Sequence, residues 1–350
     1  MRHSSFGRFE GKGFMKVSEL GEFGLIEMIA RRVGKAREPV VLGVGDDASL
    51  LQPSPGRQIA TTTDMLVEGV HFTREHMPPQ DLGFKSLAVN ISDLAAMGAE
   101  PIQAFVSIGL PPDARVEDVD LFYSGVLDAA GPAMQISGGD TVSSPHGWII
   151  SVTLIGQVAA GKALRRDSAR PGDTVFVSGP LGDSAAGLAL ILGKSIVKNR
   201  GTAEFLIHSH NRPQPQTAVG IALSSSGLSA CAIDVSDGFL QDLGHICESS
   251  RVGAKIEAEL IPISPQMVSA ARENGVETLF WPLTGGEDYS LIFTVSRDNK
   301  RNMEELVVSE GLTAICRIGE IVEEEGIELS RGKKPYTLPR DGGYDHFRHE

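Results

Sequence analysis

Aspartates recur beside small residues at the ends of apolar runs, and these acids are the side chains best suited to chemistry. The segments GVGDDAS, TTTDML, NISDLAAMG and ISGGDT present Asp46, Asp47, Asp64, Asp93 and Asp140, and the segments AIDVSDG and TGGEDYS present Asp234, Asp237, Glu287 and Asp288. Gathered carboxylates repel one another, and each raises the cost of ionising its neighbours. Divalent cations offset that repulsion, and Mg²⁺ prefers oxygen ligands of this kind, with the hydroxyl groups of Thr62 and Thr63 as further candidates. The pattern therefore indicates a metal site assembled from distant segments.

A solvated turn is the competing interpretation of each segment taken alone. Asp tolerates turn geometry and Gly supplies positive φ, so the adjacent pair Asp46 and Asp47 also fits a hairpin tip. The apolar run before Asp234 favours a site, because it predicts a buried strand and α/β sheets place ligands at the ends of such strands. The glycine pairs 138–139 and 285–286 would let the backbone approach a ligand and offer N–H groups to an anion. A polyphosphate bridged by several Mg²⁺ ions accounts for these features together.

Other enzyme chemistries lack their motifs in this sequence. There is no G-x-x-x-x-G-K-[ST] loop, no H-R-D or D-F-G set, no strand-linked G-x-G-x-x-G and no H-E-x-x-H. His71 in EGVHF is the histidine that stands out, since it follows Asp64 by seven residues near a predicted strand end. A packed or solvent-facing histidine fits that position equally well.

Composition narrows the class of protein further. The 350 residues carry a formal net charge of −13 and are 41% hydrophobic, which argues against a broad basic surface for nucleic acid or anionic membrane. No run approaches the ~20 apolar residues that span a membrane. The three cysteines are far apart and form no C-x-x-C pair, so they support neither a disulfide framework nor a zinc knuckle. We expect a cytoplasmic protein with no nucleic-acid and no membrane partner.

Helix-like and strand-like segments are mixed along the chain, which is typical of the α/β (α+β) class. The length favours two domains. We predict a mobile extension at 1–14, an N-terminal domain at 15–160 with a mixed sheet and helices on one face, and a C-terminal α/β domain at 161–350. The predicted helix in DLGFKSLAVNISDLAAMGAEP places Ser86, Asn90 and Asp93 along one face, and MQISGGDTV predicts a strand that ends in a glycine-rich turn.

The motifs resemble those of the thiamine-monophosphate kinase family. GEFGLI, GVGDDASLL, TTDMLVEGVHF, KSLAVNISDLAAMGAEP, GGDT, RPGDTVFVSGPLGDSAAGL, IDVSDGF, GGEDY and YDHF occur in the family's order from about residue 16 to 347. That family is part of a superfamily of ATP-dependent enzymes with aminoimidazole ribonucleotide synthetase, selenophosphate synthetase and a hydrogenase-maturation protein. GGD and SDG alone do not separate its members, whereas EGVHF and GGEDY point to the thiamine enzyme.

The resemblance implies a role for each matching position. It implies Mg²⁺ ligands at Asp46, Asp47, Thr62, Thr63, Asp64, Asp93, Asp140, Asp234 and Asp237; ATP contacts at Tyr123, Gly139, Asp140, Arg166 and Ser236; and thiamine monophosphate contacts at His71, Glu287 and Tyr344. We expect Asp47, Asp93 and Arg166 to carry the transfer itself. The resemblance also implies a homodimer, in which the N-terminal sheet pairs with that of a second subunit to form a barrel and the C-terminal domain closes the cleft.

The activity implied by the resemblance is transfer of the ATP γ-phosphoryl group to thiamine monophosphate, giving thiamine diphosphate. Phosphoryl transfer depends on positioning and charge neutralisation more than on covalent chemistry, so we expect a direct in-line reaction without a phosphoenzyme. The attacking phosphate oxygen is already anionic near neutral pH and needs no strong general base. Two alternatives stay open: another superfamily member with a different acceptor, and a non-catalytic module that binds metal or nucleotide.

Overall fold

The computed structural model describes residues 14–312 and 314–337. The predicted extension therefore lies outside the described residues except for Phe14, and Tyr344 lies outside them as well. Within the described ranges, no helix is both long and apolar enough to cross a membrane.

The first half of the chain forms a four-stranded sheet, a small hairpin and three helices. Their bounds are α1 Val17–Val33, β1 Val40–Leu42, β2 Leu50–Leu51, β3 Arg57–Val67, α2 Pro79–Ala96, β4 Glu100–Leu110, α3 Val116–Ala130, β5 Gln135–Ser143 and β6 Ile149–Ala159. The strand order in the sheet is β3-β6-β4-β5, with β4 and β5 parallel and the other neighbours antiparallel.

Alternation along the strands gives this sheet one buried and one exposed face. In β6, Ile150, Val152 and Leu154 are fully buried, and they share a core with residues of α2 and α3. The opposite face exposes large apolar side chains, including Met65 on β3 and Val142 on β5. Helices packed against one face of a mixed sheet therefore form the core of this half.

The second half forms a seven-stranded sheet with helices on both faces. Its elements are β7 Thr174–Val177, α4 Asp183–Ile191, α5 Arg200–Asn211, α6 Thr217–Ser226, β8 Cys231–Asp234, α7 Phe239–Ser250, β9 Gly253–Glu257, α8 Pro265–Asn274, α9 Phe280–Thr284, β10 Leu291–Val295, α10 Lys300–Ser309, β11 Cys316–Val322, β12 Gly326–Arg331 and β13 Lys334–Pro335, with short 3-10 turns at Ala258–Leu260 and Arg297–Asn299. The strand order is β13-β12-β9-β11-β7-β10-β8.

Alternate residues of β8 and β10 enter two different cores. Ile233 of β8 and Ile292 of β10 pack in the core that contains α7, whereas Ala232 and Phe293 pack in a core with residues of α6 and α10. The second core also contains Ala95 from the end of α2. Helix α2 therefore joins the two halves, and Asp234, two residues after Ala232, is directed to the side that α2 covers.

The predicted mixed α/β architecture is confirmed, with local differences. Asp46 and Asp47 lie in the connection between the paired strands β1, which ends at Leu42, and β2, so they do not stand directly at a strand end. The prediction that the strand in MQISGGDTV ends in a glycine-rich turn is wrong, because β5 continues through Gly138 and Gly139 to Ser143. The four-stranded sheet lies within 57–159 and the seven-stranded sheet within 174–335, and we keep a domain boundary near residue 160 as our proposal.

Candidate active site

Three of the predicted ligand acids meet where the two halves of the chain adjoin. Asp64 lies on β3, Asp93 on the last turns of α2 and Asp234 at the end of β8. The charge of Asp93 influences the ionisation of both Asp64 and Asp234. The Thr62 hydroxyl donates to the Asp93 carboxylate. Ser92, the neighbour of Asp93, donates its hydroxyl to Asp234 Oδ2 at 2.6 Å, so α2 contacts both sheets at this point.

Burial raises the pKa of every acid in this cluster, and the charge of Asp93 adds to the effect at Asp64 and Asp234. Burial, followed by the charge of Asp93, raises the pKa of Asp64 to about 6 and that of Asp234 to about 7. Burial also raises the pKa of Asp93, although the Thr62 hydrogen bond and the charge of Arg166 partly offset the effect. The raised pKa values mean that nearby positive charge is too small to stabilise these carboxylates fully as anions. Mg²⁺ would supply the missing positive charge, and it prefers oxygen ligands of this kind.

The turn after β8 adds a second group of potential ligands. Asp242, in the first turn of α7, accepts the backbone N–H groups of Ser236, Asp237 and Gly238 at 3.1 Å each. Burial, followed by the charges of Asp234 and Asp237, raises the pKa of Asp242 to about 7. Ligand atoms of Asp237, Asp242 and His245 lie within 4.8 Å of one another. Neither Asp242 nor His245 was predicted, although an acid in the first turn of a helix is a known capping signal.

Three other predicted ligands, Asp46, Asp47 and Thr63, are exposed. Asp46 and Asp47 are exposed, with Asp46 Oδ1 accepting the Asp47 N–H at 2.8 Å. The Thr63 side chain occupies the opposite face of β3 from Thr62, where it contacts the Val152 carbonyl and the Thr153 hydroxyl at 3.1 Å each. The structure therefore does not bring the Thr63 hydroxyl to the cluster, and a ligand role for this group stays a prediction that the side-chain direction does not support.

Asp140 lies on that same exposed face of the four-stranded sheet. It lines a surface cavity of about 230 Å³ together with Met65 and Val142, and its own Oδ1 accepts the Thr141 N–H at 2.8 Å. The cavity is separate from the cluster of Asp64, Asp93 and Asp234, so the structure brings Asp140 to a different surface.

The glycines beside the predicted phosphate contacts have a packing role. A Cβ atom on Gly139 would lie 1.9 Å from the Val106 carbonyl oxygen of β4, and the φ of Gly139 is +148°. A Cβ atom on Gly286 would lie 2.3 Å from the Ser236 carbonyl oxygen. Close packing against a neighbouring backbone segment, and not only the approach of a ligand, therefore explains why both positions lack a side chain.

We expect Gly139→Ala to lower the free energy of unfolding by more than about 2 kcal/mol, because the new methyl group must separate β5 from β4. Chemical denaturation followed by circular dichroism measures the change. Gly244→Ala is the matched control, since Gly244 lies inside α7 and a Cβ atom there would meet no heavy atom of the described residues within 4 Å. Alanine at this control position should stabilise the helix slightly. Equal effects of the two substitutions would contradict the packing role.

The remaining predicted ATP contacts occupy different environments. Arg166 is exposed and close enough to Asp93 to influence its ionisation. The Ser236 carbonyl accepts the Glu287 N–H at 2.8 Å, so Ser236 lies between the acid turn and the GGEDY loop. Tyr123 is only 3% exposed and packs edge-on against Phe122 in the N-terminal core. A contact between Tyr123 and ATP stays a prediction.

Two predicted substrate residues, His71 and Glu287, are brought together. His71 Nδ1 accepts the Val67 N–H at 3.0 Å, and His71 is close enough to Glu287 to lower the pKa of its carboxyl. Glu287 also contacts the buried ammonium of Lys85, with 3.1 Å between Oε1 and Nζ. The neighbouring Asp288 has a structural role, because it accepts backbone N–H groups at the start of α4, at 2.6 Å from Gly182 and 3.1 Å from Ser184.

Comparison with known proteins supports both halves of this description. Residues 45–158 match the family described as AIR synthase related protein, N-terminal domain, and residues 170–331 match its C-terminal domain. The Escherichia coli (strain K12) thiamine-monophosphate kinase is 40% identical over 329 residues, which cover 93% of this chain and 98% of that relative.

Solved structures agree with the sequence matches. Thiamine-monophosphate kinase from Stenotrophomonas maltophilia K279a superposes with a TM-score of 0.78 at 37% identity, covering 89% of this chain and 96% of its own. AaThiL complexed with AMPPCP and TMP superposes with a TM-score of 0.72 at 33% identity, covering 95% and 99%. Both matched domains are those of the AIR synthase related class. Within that class, the chain belongs to the thiamine-monophosphate kinase family.

Proposed function

We propose that the protein transfers the γ-phosphoryl group of ATP to the phosphate of thiamine monophosphate, giving thiamine diphosphate and ADP. The observation that carries this proposal is the cluster of the half-buried Asp64 and Asp93 with the buried Asp234 at the junction of the two sheets. Membership in the kinase family supports it, as does the related structure that holds AMPPCP and TMP.

The donor set fits Mg²⁺, which would neutralise charge on the transferring phosphates when bound. The residues that would hold it are the ligands implied by the resemblance: Asp46, Asp47, Thr62, Thr63, Asp64, Asp93, Asp140, Asp234 and Asp237. Of these, Asp64, Asp93 and Asp234 are supported most directly, because burial raises the pKa of each one and the charge of Asp93 contributes to the rise at Asp64 and Asp234. Asp237 is supported by its closeness to Asp242 and His245.

The residues of the chain would act by positioning charge. Arg166, which already influences Asp93, would contact the phosphates and stabilise the charge that develops during transfer. Asp47 and Asp93 would help to orient the reacting groups. An anionic phosphate oxygen attacks directly, so no side chain is needed as a strong base and none becomes phosphorylated.

The nucleotide and thiamine ends would be held by different residues. For ATP we propose the positions Tyr123, Gly139, Asp140, Arg166 and Ser236, and for thiamine monophosphate His71, Glu287 and Tyr344. The mutual closeness of His71 and Glu287 supports the second set.

A homodimer and a cytoplasmic location complete the proposal. The exposed apolar side chains on the four-stranded sheet, among them Met65 at 56% and Val142 at 54% exposure, are a surface that a second sheet would cover in a dimeric barrel. Analytical ultracentrifugation tests the dimer, and a monomer at micromolar concentration would overturn it.

Free thiols at Cys231, Cys247 and Cys316 are compatible with a reducing compartment, which supports the proposed cytoplasmic location.

The experiment that tests the activity is incubation of the purified protein with Mg·ATP and thiamine monophosphate, followed by chromatographic detection of thiamine diphosphate. Stoichiometric thiamine diphosphate and ADP are expected, with no phosphorylated residue after rapid quenching. ADP formed only with another acceptor would instead indicate a different member of the superfamily. ATP bound but left intact would indicate a binding module.

A further inference from the structure

Lys85 is a lysine buried almost completely, with 1% of its surface exposed. Lysine is among the residues least often buried, and a buried ammonium without partners is costly. Lys85 lies in the second turn of α2, the helix whose last turns carry Asp93. Its ammonium reaches out of the N-terminal half and contacts two side chains of the C-terminal half.

The two partners of Lys85 are Glu287 and His210. Nζ lies 3.1 Å from Glu287 Oε1 and 3.3 Å from His210 Nε2. Because an ammonium only donates, Nε2 must accept and the imidazole proton lies on Nδ1. Burial, followed by the charge of Lys85, lowers the pKa of His210 to about 4, so the ring is neutral near pH 7. Its Nδ1 is 3.0 Å from the Ser184 hydroxyl and 3.3 Å from Glu287 Oε2.

These groups form two layers. Lys85 and His210 are buried, whereas 30% of the Glu287 side chain is exposed. The buried layer therefore contacts both oxygens of the carboxylate from the protein side, and Glu287 faces outward. The Glu287 backbone has φ of +64°, an uncommon conformation for a residue with a side chain. Its N–H bond to the Ser236 carbonyl at 2.8 Å and its side-chain contacts hold it there.

We propose that Lys85 and His210 are positioning residues that fix the Glu287 carboxylate, as an anion, toward the thiamine end of the substrate. This rests on the proposed function, since Glu287 contacts thiamine monophosphate only if that substrate binds. The ammonium and the imidazole hold one orientation of the carboxylate, and they do so from α2 and α5, on opposite sides of the domain junction. Lys85 thereby links substrate binding to the helix that also carries Asp93.

The direction of the Glu287 ionisation agrees with this arrangement. Burial by itself would raise the pKa of the Glu287 carboxyl, but Lys85, then His210 and His71, hold it below its usual value. The titratable groups around Glu287 are thus Lys85 on α2, His210 on α5, His71 after β3, and its chain neighbours Asp288 and Tyr289. Among these, Lys85 makes the largest contribution to keeping the carboxyl ionised.

The test compares steady-state kinetics of the native protein, Lys85→Met, Glu287→Gln and the double variant. Methionine keeps a similar length and removes the charge. We expect Lys85→Met to raise KM for thiamine monophosphate by about 10-fold or more, with KM for ATP within about twofold. In the Glu287→Gln background, Lys85→Met should change KM by less than about twofold, because residues that act through one another are non-additive.

Two controls separate positioning from stability. Lys255→Met removes an exposed lysine on β9 that pairs with Glu328 at 3.7 Å and should leave both KM values unchanged. Thermal unfolding reports whether Lys85→Met folds. If it does not, the double variant, which leaves no unpaired carboxylate, and His210→Gln replace it. His210→Gln should raise KM for thiamine monophosphate by about threefold or more.

A pH profile provides a readout that a purely structural role would not change. Between pH 8 and 6, KM of the native protein for thiamine monophosphate should change less than that of Lys85→Met. The KM of the Lys85→Met variant for thiamine monophosphate should rise as pH falls, because Glu287 without the neighbouring ammonium takes up a proton nearer neutrality. The other groups that face Glu287 are the same in both proteins, so the difference between the two profiles reports on Glu287.

The outcomes distinguish the two proposals. A native protein that makes no thiamine diphosphate overturns the proposed function. A native protein that does, with Glu287→Gln raising KM and Lys85→Met leaving it unchanged, overturns the positioning role alone. Equal effects of Lys85→Met with and without Glu287, or an unchanged KM in Glu287→Gln, overturn it as well.

Discussion

Asp93→Asn should reduce kcat for thiamine diphosphate formation by at least about 10²-fold while the chain keeps its fold. Asp93 contacts Thr62, influences Asp64 and Asp234, and lies near Arg166, so it is central to the cluster. Asparagine retains an oxygen for the Thr62 hydroxyl but removes the charge that would hold a cation, and single electrostatic groups of this kind contribute on that scale. Steady-state turnover and circular dichroism measure the two effects.

Asp113→Asn is the matched control, because Asp113 is exposed in the loop before α3, and its turnover should equal that of the native protein. Asp47→Asn is a companion variant at an exposed position of the predicted site. Loss of turnover in Asp47→Asn without loss of stability would support its predicted ligand role. Turnover of Asp93→Asn within about threefold of native would contradict the assignment of the cluster.

Without divalent cations, the free energy of unfolding should fall by about 2 kcal/mol as pH rises from 6.5 to 8. Asp234, Asp242 and Asp288 each have a folded pKa raised by burial to about 7 from the ordinary value of 3.8. A raised pKa means that the folded state binds protons more tightly, so this stability is present at low pH and is lost as pH rises through 7. Linkage gives about 0.8 kcal/mol for each such group over this window.

His210 partly offsets the carboxylates within this pH window. Its folded pKa is lowered to about 4, against 6.5 for the free side chain, so stability rises with pH until the unfolded side chain has lost its proton, which adds back about 0.4 kcal/mol between pH 6.5 and 8. Urea denaturation in EDTA at several pH values measures the slope. Asp234→Asn should reduce the fall by about a third, and added Mg²⁺ should stabilise the native protein more at pH 8 than at pH 6.5. A Mg²⁺ effect independent of pH would contradict the prediction.

The sequence was sufficient to single out Asp64, Asp93 and Asp234 as candidate ligands, among other acids. Asp64 and Asp234 follow runs with strand periodicity, and Asp93 lies on a strongly helical segment, so local pattern alone located them near the ends of elements. The mixed architecture was predictable for the same reason, since the periodicities of 2 and 3.6 residues are local properties.

Features that depend on long-range contacts were not predictable. Nothing local marks Lys85 as buried or pairs it with His210, 125 residues away. The packing role of Gly139 depends on the position of Val106 in a neighbouring strand, and in the sequence alone the same glycine fits a phosphate contact equally well. Ser86 and Asn90 lie on one face of α2, as predicted from their spacing. Both side chains are fully buried, however, and each donates a hydrogen bond to a backbone carbonyl of the same helix.

Helix α2 carries Lys85 near one end and Asp93 eight residues later. At 1.5 Å per residue these two positions are separated by about 12 Å along one rigid axis. The helix therefore sets the distance between the group that would orient the thiamine rings and the acids that would bind the phosphates. It also sets their relative direction, because one residue inserted between Lys85 and Asp93 would rotate one end of the helix by about 100° relative to the other. A change in a surface loop would leave both the distance and the direction unchanged.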